Sequence, residues 1–328
     1  MNYLLGFDFD GTIAQTFEKS PKGIGVTEAY RLAISDIFGP EVLAIYDTQG
    51  GLKNSAPSEL IHSLMGEGGN ELLVRNAEQF FNTHKEELIN LVPEGKGVPL
   101  EWTPAQQEKI MGELLVRQKL HYLMDEIGTQ YSDGSCWPRP CKNFAECWQT
   151  IQELKRQGIP INTAVISSGH DLFINKVFDI WGLPHPDILV TEDDIRGRTY
   201  PKELERRTKP GELQLALAHE EWLRRQHLTG MDFNMGIARE TRKGMIYFGD
   251  DEKKDGNLAL GASIPFGLFN PDERPVVGLP QNSFVFKDYR DIATGLMGGQ
   301  SLLREGKPIG DLFLNRISGR ETIGGKIG

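Results

Sequence analysis

From residue 138 onward, short apolar runs alternate with helical stretches, and this alternation restricts the fold more than any other feature of the chain. Strands are predicted over 161–167, 186–190, 245–248, 264–269 and 283–286, with helices over 143–158, 172–181 and 212–227 between them. Strands joined by helical crossovers pair in parallel, and a parallel sheet needs helices on both faces. One more apolar strand, residues 3–9, stands alone at the start and ends in carboxylates. Between it and the alternating region, residues 15 to about 135 read almost wholly as helix. Apolar residues recur at helical spacing over 28–38, 55–65 and 70–91. Thr103-Pro104-Ala105-Gln106 has the form of a capping box with Pro at the first helical position, opening a helix that Gly128 ends. The expectation is a three-layer α/β/α, doubly wound parallel sheet from residues 1–14 and 138–296. An α-helical cap domain, 15–137, is inserted after its first strand, and a Gly-rich tail, 297–328, follows.

Charge narrows the partners. The 36 Lys+Arg against 46 Asp+Glu leave a formal net charge of -10, whereas a duplex-binding surface carries a basic excess. Nucleic acid is therefore not expected as partner, though a local basic patch can still hold a small anion. No apolar run approaches the roughly 20 residues that span a bilayer, so no membrane partner is expected. Met1 leads almost at once into the Leu4-Leu5-Gly6-Phe7 strand rather than a signal peptide, and the expectation is a cytoplasmic protein. The cysteines Cys136, Cys141 and Cys147 lack a Cys-x-x-Cys pair and a nearby histidine, and read as reduced core thiols beside Trp137 and Trp148.

The chemistry-bearing residues sit at element ends. Asp8-Phe9-Asp10-Gly11-Thr12 follows the first strand, with alternation sending both carboxylates one way and Phe9 the other. Two carboxylates side by side repel unless a cation lies between them, and a hard divalent ion such as Mg2+ suits oxygen ligands. Strand 245–248 also ends in acid, Gly249-Asp250-Asp251, with Asp255 beyond. Strand 161–167 ends in Ser167-Ser168-Gly169, a hydroxyl and amides near a helix start, which is an anion site. Lys209-Pro210-Gly211-Glu212 places a lysine just before another helix. In an open parallel sheet the reactive site lies at the carboxyl ends of the strands, and all of these fall there. A nucleophile, a metal, a phosphate clamp and a balancing cation make a phosphoryl-transfer set.

This ordered set, acid, hydroxyl, lysine, acid, resembles the haloacid dehalogenase-like (HAD) superfamily, phosphatase branch, with a helical first-type cap. The resemblance covers residues 3–14 and about 138–295. It implies that Asp8 is the nucleophile forming an aspartyl-phosphate and Asp10 the acid and then the base. It further implies that Ser167 holds the transferring phosphoryl group and Lys209 neutralises charge. Mg2+ would be bound by Asp8, Asp10 through its backbone carbonyl, and Asp250, with Asp251 assisting and Asp255 in a supporting place. Thr12, Ser168, Gly169 and His170 are expected near the substrate, as are the cap residues Lys53 and Asn54. An acid at position 10 points to phosphate esters, because carbon–halogen cleavage needs no protonated leaving group. The gap between Lys209 and Asp250 leaves Lys202 and Lys243 as rivals for the lysine. The basic stretch Arg196, Arg198, Lys202, Arg206 and Arg207 reads as a solvated face. The expected function is Mg2+-dependent hydrolysis of a small phosphorylated metabolite. A phosphomutase acting on a sugar phosphate and a non-catalytic phosphate-binding protein are the alternatives.

Overall fold

A computed structural model describes residues 1–48, 61–62, 71–196, 209, 213–226 and 241–317. Six strands, β1 Tyr3–Phe7, β2 Ile161–Ile166, β3 Ile188–Val190, β4 Met245–Gly249, β5 Phe266–Phe269 and β6 Ser283–Phe286, form one sheet. Their order is β3-β2-β1-β4-β5-β6 and every pairing is parallel. The order reverses at β1, whose neighbours are β2 on one side and β4 on the other. That makes the crevice beyond the carboxyl ends of β1 and β4 the switch point where such sheets bind ligands.

Both faces are apolar, as a fully covered parallel sheet requires. Tyr3, Leu5 and Phe7 of β1 join a core with α5 (Phe144–Arg156) and α6 (Asp171–Trp181), whereas Leu4 joins the opposite core. That second core holds α8 (Leu213–Arg225) and α9 (Asp255–Gly261). A short helix, α7 (Asp193–Arg196), follows β3.

The segment between β1 and α5 is helical: α1 Val26–Phe38, α2 Pro40–Thr48, α3 Glu71–Leu88 and α4 Gln107–Glu126. Ala33, Ile34, Phe38, Leu73, Phe81, Ile110 and Leu114 make a core of its own. The two modules are not cleanly separate, because Ala29 of α1 and Leu120 and Leu123 of α4 belong to the main core. At the start of α4 the expected capping box does not form. Thr103 makes no side-chain cap bond, and Pro104–Gln106 is a 3-10 turn leading into the helix. Helix α4 is buried around most of its circumference, Glu113, Arg117, Gln118, Lys119 and Glu126 included. Among the described residues no helix is long and apolar enough to cross a membrane.

One expectation is corrected at the carboxyl terminus. Residues 297–317 are not a loose tail: α10 (Tyr289–Gly298), α11 (Gln300–Arg304) and α12 (Gly310–Ile317) pack on the sheet. Leu303, Ile309, Leu312 and Phe313 lie in the main core, and Tyr3 Oη donates to the carbonyls of Leu303 and Lys307 at 3.0 and 2.9 Å.

Candidate active site

β1 ends at Phe7, and Asp8 donates its backbone N–H to the Phe248 carbonyl of β4 at 2.8 Å. This bond sets the nucleophile candidate directly beside the end of β4, where Asp250 follows Gly249. Thr12, fully buried, reaches Asp8 Oδ2 at 3.4 Å and Asp250 Oδ1 at 3.3 Å with its hydroxyl. Gly11 has φ +77, and a β-carbon there would sit 2.5 Å from Asp250 Oδ2, so the turn both needs a left-handed residue and has no room for a side chain. Gly249 works similarly by space alone, since a β-carbon would collide with the Asp255 carboxylate.

Lys209 closes the group. Its ammonium contacts Asp8 Oδ1 and lies 2.9 Å from Asp255 Oδ1, with its side chain 6% exposed. Of the rivals, Lys243 is exposed before β4, at the opposite end of the sheet, and Lys202 lies outside the described residues. Ser167 is fully buried after β2, and its Oγ accepts the Gly169 N–H at 2.8 Å. Gln214 of α8 donates to the Ser167 carbonyl at 2.8 Å and fastens that loop. Asp10 Oδ1 accepts the Thr16 hydroxyl at 2.6 Å, and a β-carbon on Gly169 would come within 3.7 Å of Asp10 Oδ2. The serine loop and Asp10 therefore border one crevice. Ser168 is exposed beside them, and Lys53 and Asn54 lie outside the described residues.

Two residues take other places than expected. Asp251 turns away from the acids, and its Oδ1 accepts the N–H groups of Lys253 and Lys254 at 2.8 and 2.9 Å, ordering the turn into α9. Asp255, expected only in a supporting place, is the residue that joins the cluster: one carboxylate oxygen each of Asp8, Asp250 and Asp255 lie within 4.8 Å of one another. Among the described residues this is the only such group of acids, histidines or cysteines, so the three cysteines form no metal centre there. Cys141 and Cys147 are core thiols, and burial pushes both up.

The electrostatics are those of a surplus of negative charge. Burial, then the neighbouring Asp8 and Asp255, push Asp250 up to about 7. Burial pushes Asp255 up to about 6 although Lys209 opposes it. Burial raises Asp8 against the pull of Lys209, and raises Asp10 against its bond from Thr16. Asp255 and Asp8 in turn hold Lys209 well above its ordinary value in spite of burial. Three crowded carboxylates whose protons cling to them are a donor set that a hard divalent cation fits, and all-oxygen ligation suits Mg2+.

His170, expected near substrate, caps the start of α6 and is 2% exposed. Its Nδ1 lies 3.0 Å from Asp193 Oδ1, and burial lowers it to about 4. Asp193 also meets Arg196, which ion-pairs with Glu113 of the cap at 3.1 Å. Lys96 of the cap segment bridges Asp171 and Asp194 at 2.5 and 2.8 Å. These contacts latch the cap onto the core. Arg196, 11% exposed, is thus a paired residue and not part of a solvated face, while Arg198, Lys202, Arg206 and Arg207 lie outside the described residues. The latch was not foreseen, because charged residues inside a helical stretch read as its wet side.

No protein-family model and no curated protein matches the chain. Among solved structures, CbbY from Rhodobacter sphaeroides in complex with phosphate is similar at 14% identity, covering 88% of this chain and 95% of that one with a TM-score of 0.43. A HAD phosphatase from Thermococcus onnurineus is similar at 13% identity, covering 91% and 99% with a TM-score of 0.39. An L-2-haloacid dehalogenase from Xanthobacter autotrophicus is similar at 13% identity, covering 91% and 99% with a TM-score of 0.41. The six-stranded parallel order with its reversal at β1, the helical module inserted behind β1, and the motif residues gathered at the carboxyl edge give this chain a three-layer α/β/α fold with a helical insertion after its first strand.

Proposed function

We propose that the protein is a Mg2+-dependent phosphatase that hydrolyses a small phosphate monoester through an aspartyl-phosphate on Asp8. The observation that carries this reading is Asp10. It is a second carboxylate on the crevice, its hold on a proton strengthened by burial and its Oδ1 fixed by Thr16. Displacing halide needs no proton, whereas expelling an alkoxide from phosphorus does.

In the first step Asp8 attacks phosphorus, the bond to the leaving oxygen breaks, and Asp10 gives its proton to that oxygen. In the second step Asp10, now ionised, takes a proton from water. The water attacks the phosphorus on Asp8, releasing phosphate and restoring the carboxylate. Lys209, in contact with Asp8, favours the ionised form of the nucleophile and offsets phosphate charge. The Ser167 hydroxyl and the amides leading into α6 receive phosphoryl oxygens. Asp8, Asp250 and Asp255, with the Asp10 carbonyl, would hold Mg2+, which would supply the remaining positive charge that lets an anion approach an anion. The latched cap excludes bulk water from the crevice.

The test is phosphate release from a broad panel of phosphomonoesters, with Mg2+ and with chelator, beside a folded Asp8→Asn variant. Release that requires Mg2+ and disappears in the variant supports the reading. Halide release from 2-haloacids, with no phosphate release from any ester, overturns it.

A further inference from the structure

Every other phenylalanine among the described residues is buried, whereas Phe17 is 60% exposed. Burying an aromatic ring is among the larger gains open to a fold, so a ring left in water is a departure from the rest of this chain. Its backbone is not loose. Thr16 before it is fully buried, and the Thr16 carbonyl accepts the Val26 N–H at 3.2 Å. The Glu18 carbonyl after it accepts Trp137 Nε1–H at 2.8 Å. The chain is tied down on both sides, and the ring between them stands in solvent. A lone exposed apolar side chain is ordinary on a protein surface; what sets Phe17 apart is its place.

That place is next to two acids of the site. On Gly11, the β-carbon position that falls 2.5 Å from Asp250 Oδ2 also falls 3.2 Å from Phe17 Cε2. The ring and the carboxylate thus flank one glycine, which has no side chain to hold them apart. Thr16, the residue before Phe17, holds Asp10 Oδ1 through its hydroxyl at 2.6 Å. Asp10 is the acid that meets the leaving oxygen, so the group joined to that oxygen lies beside residues 16 and 17. Thr16 is turned into the protein and Phe17 out of it, so the surface this segment offers to such a group is the phenylalanine ring.

We infer that Phe17 is a specificity-determining residue whose ring forms an apolar wall for the leaving group of the phosphate monoester. The inference rests on the phosphatase reading and deepens it by naming the substrate class, esters with an aromatic leaving group. Such a group covers the exposed ring, edge-on or in offset stacking, and removes from water apolar area that the free protein leaves wet. A polyhydroxylated leaving group gains nothing comparable, because it sets hydroxyls against a face that offers them no hydrogen bond.

Calorimetric titration separates the two claims, because phosphonates have no ester bond to cleave and report binding without turnover. The probes are benzylphosphonate, 2-hydroxyethylphosphonate and methylphosphonate, each added to the full chain with Mg2+. Benzylphosphonate is expected to bind about tenfold more tightly than either of the others, as burial of one ring against another allows. In Phe17→Ala that preference falls to about twofold or less, and Phe17→Tyr, which keeps the ring face, retains it. A melting curve of each variant verifies the fold. Equal affinity for benzylphosphonate and 2-hydroxyethylphosphonate in the natural protein, or a preference that survives in Phe17→Ala, overturns the inference while leaving the phosphatase reading intact. Failure of every phosphonate to bind overturns the reading, and the inference with it.

Discussion

At the carboxyl edge of β1 and β4, the carboxylates of Asp8 and Asp255 meet the ammonium of Lys209, and an Asp250 oxygen lies within 4.8 Å of one from each. Between the cap and the 170–196 segment, Glu113, Asp171, Asp193 and Asp194 are matched by Lys96, Arg117 and Arg196. One acid of each group, Asp250 and Asp193, is shifted in the opposite direction to the other. In the first, burial and like charge push Asp250 up to about 7. In the second, His170 and Arg196 overcome burial and hold Asp193 well below the usual carboxylate range. A cluster that neutralises itself joins two parts of a fold. One left with surplus charge is arranged for something that arrives from outside.

That contrast can be broken from either side. The largest expected effect is on chemistry: Asp10→Asn should lower turnover of an alkyl phosphate by about 10²–10⁴-fold, the usual weight of a positioned acid and base. The same variant should still give a burst of p-nitrophenol from p-nitrophenyl phosphate, whose leaving group needs no proton. Loss of the burst would place Asp10 among the groups that merely hold Asp8. Next comes the latch. Glu113→Gln leaves Arg117 without its carboxylate and Arg196 with Asp193 alone, and should cost about 3–5 kcal/mol in a denaturant titration, as removal of one partner from a buried pair does. A cost under about 1 kcal/mol would mean the latch is incidental.

The smallest effect sharpens the comparison through pH. An acid whose pKa is raised on folding stabilises below its unfolded value and loses that contribution as pH rises through the folded value. For metal-free protein, Asp250 therefore contributes a loss of stability between about pH 4 and 7, and Asp250→Asn should gain on the natural protein across that window. His170, lowered to about 4, acts the other way: its contribution is present above about 6.5 and lost as pH falls toward 4. Melting temperatures of the natural protein, Asp250→Asn and His170→Asn across pH 4–8 would show the two variants diverging in opposite senses. Added Mg2+ should reverse the advantage of Asp250→Asn, because it binds the folded acids.

How much the sequence discloses follows the same division. The edge cluster was legible because strand ends are marked by short apolar runs, and Asp8, Asp10, Ser167, Lys209 and Asp250 each sit one step past such an end or before a helix. Asp255 was ranked below Asp251 because adjacency in the chain favours the doubled acid. Only the seven-residue α9, and the room left by Gly249, bring Asp255 back over the end of β4. The latch was not legible: α4, which carries its Glu113 and Arg117, is buried nearly all round, and a single sequence does not say that a second body covers its polar side. The stretch after Leu296 misled in the opposite way, its glycines masking the buried Leu303, Ile309, Leu312 and Phe313.

The most direct test of the central claim is to trap the covalent intermediate. The protein would be mixed briefly with Mg2+ and p-nitrophenyl phosphate, quenched in acid, reduced with borohydride and mapped by mass spectrometry. The account predicts that residue 8, and no other carboxylate, is converted to homoserine, and that chelator or Asp8→Asn abolishes the conversion. Phosphate release with residue 8 unmodified, or conversion at another aspartate, would contradict it.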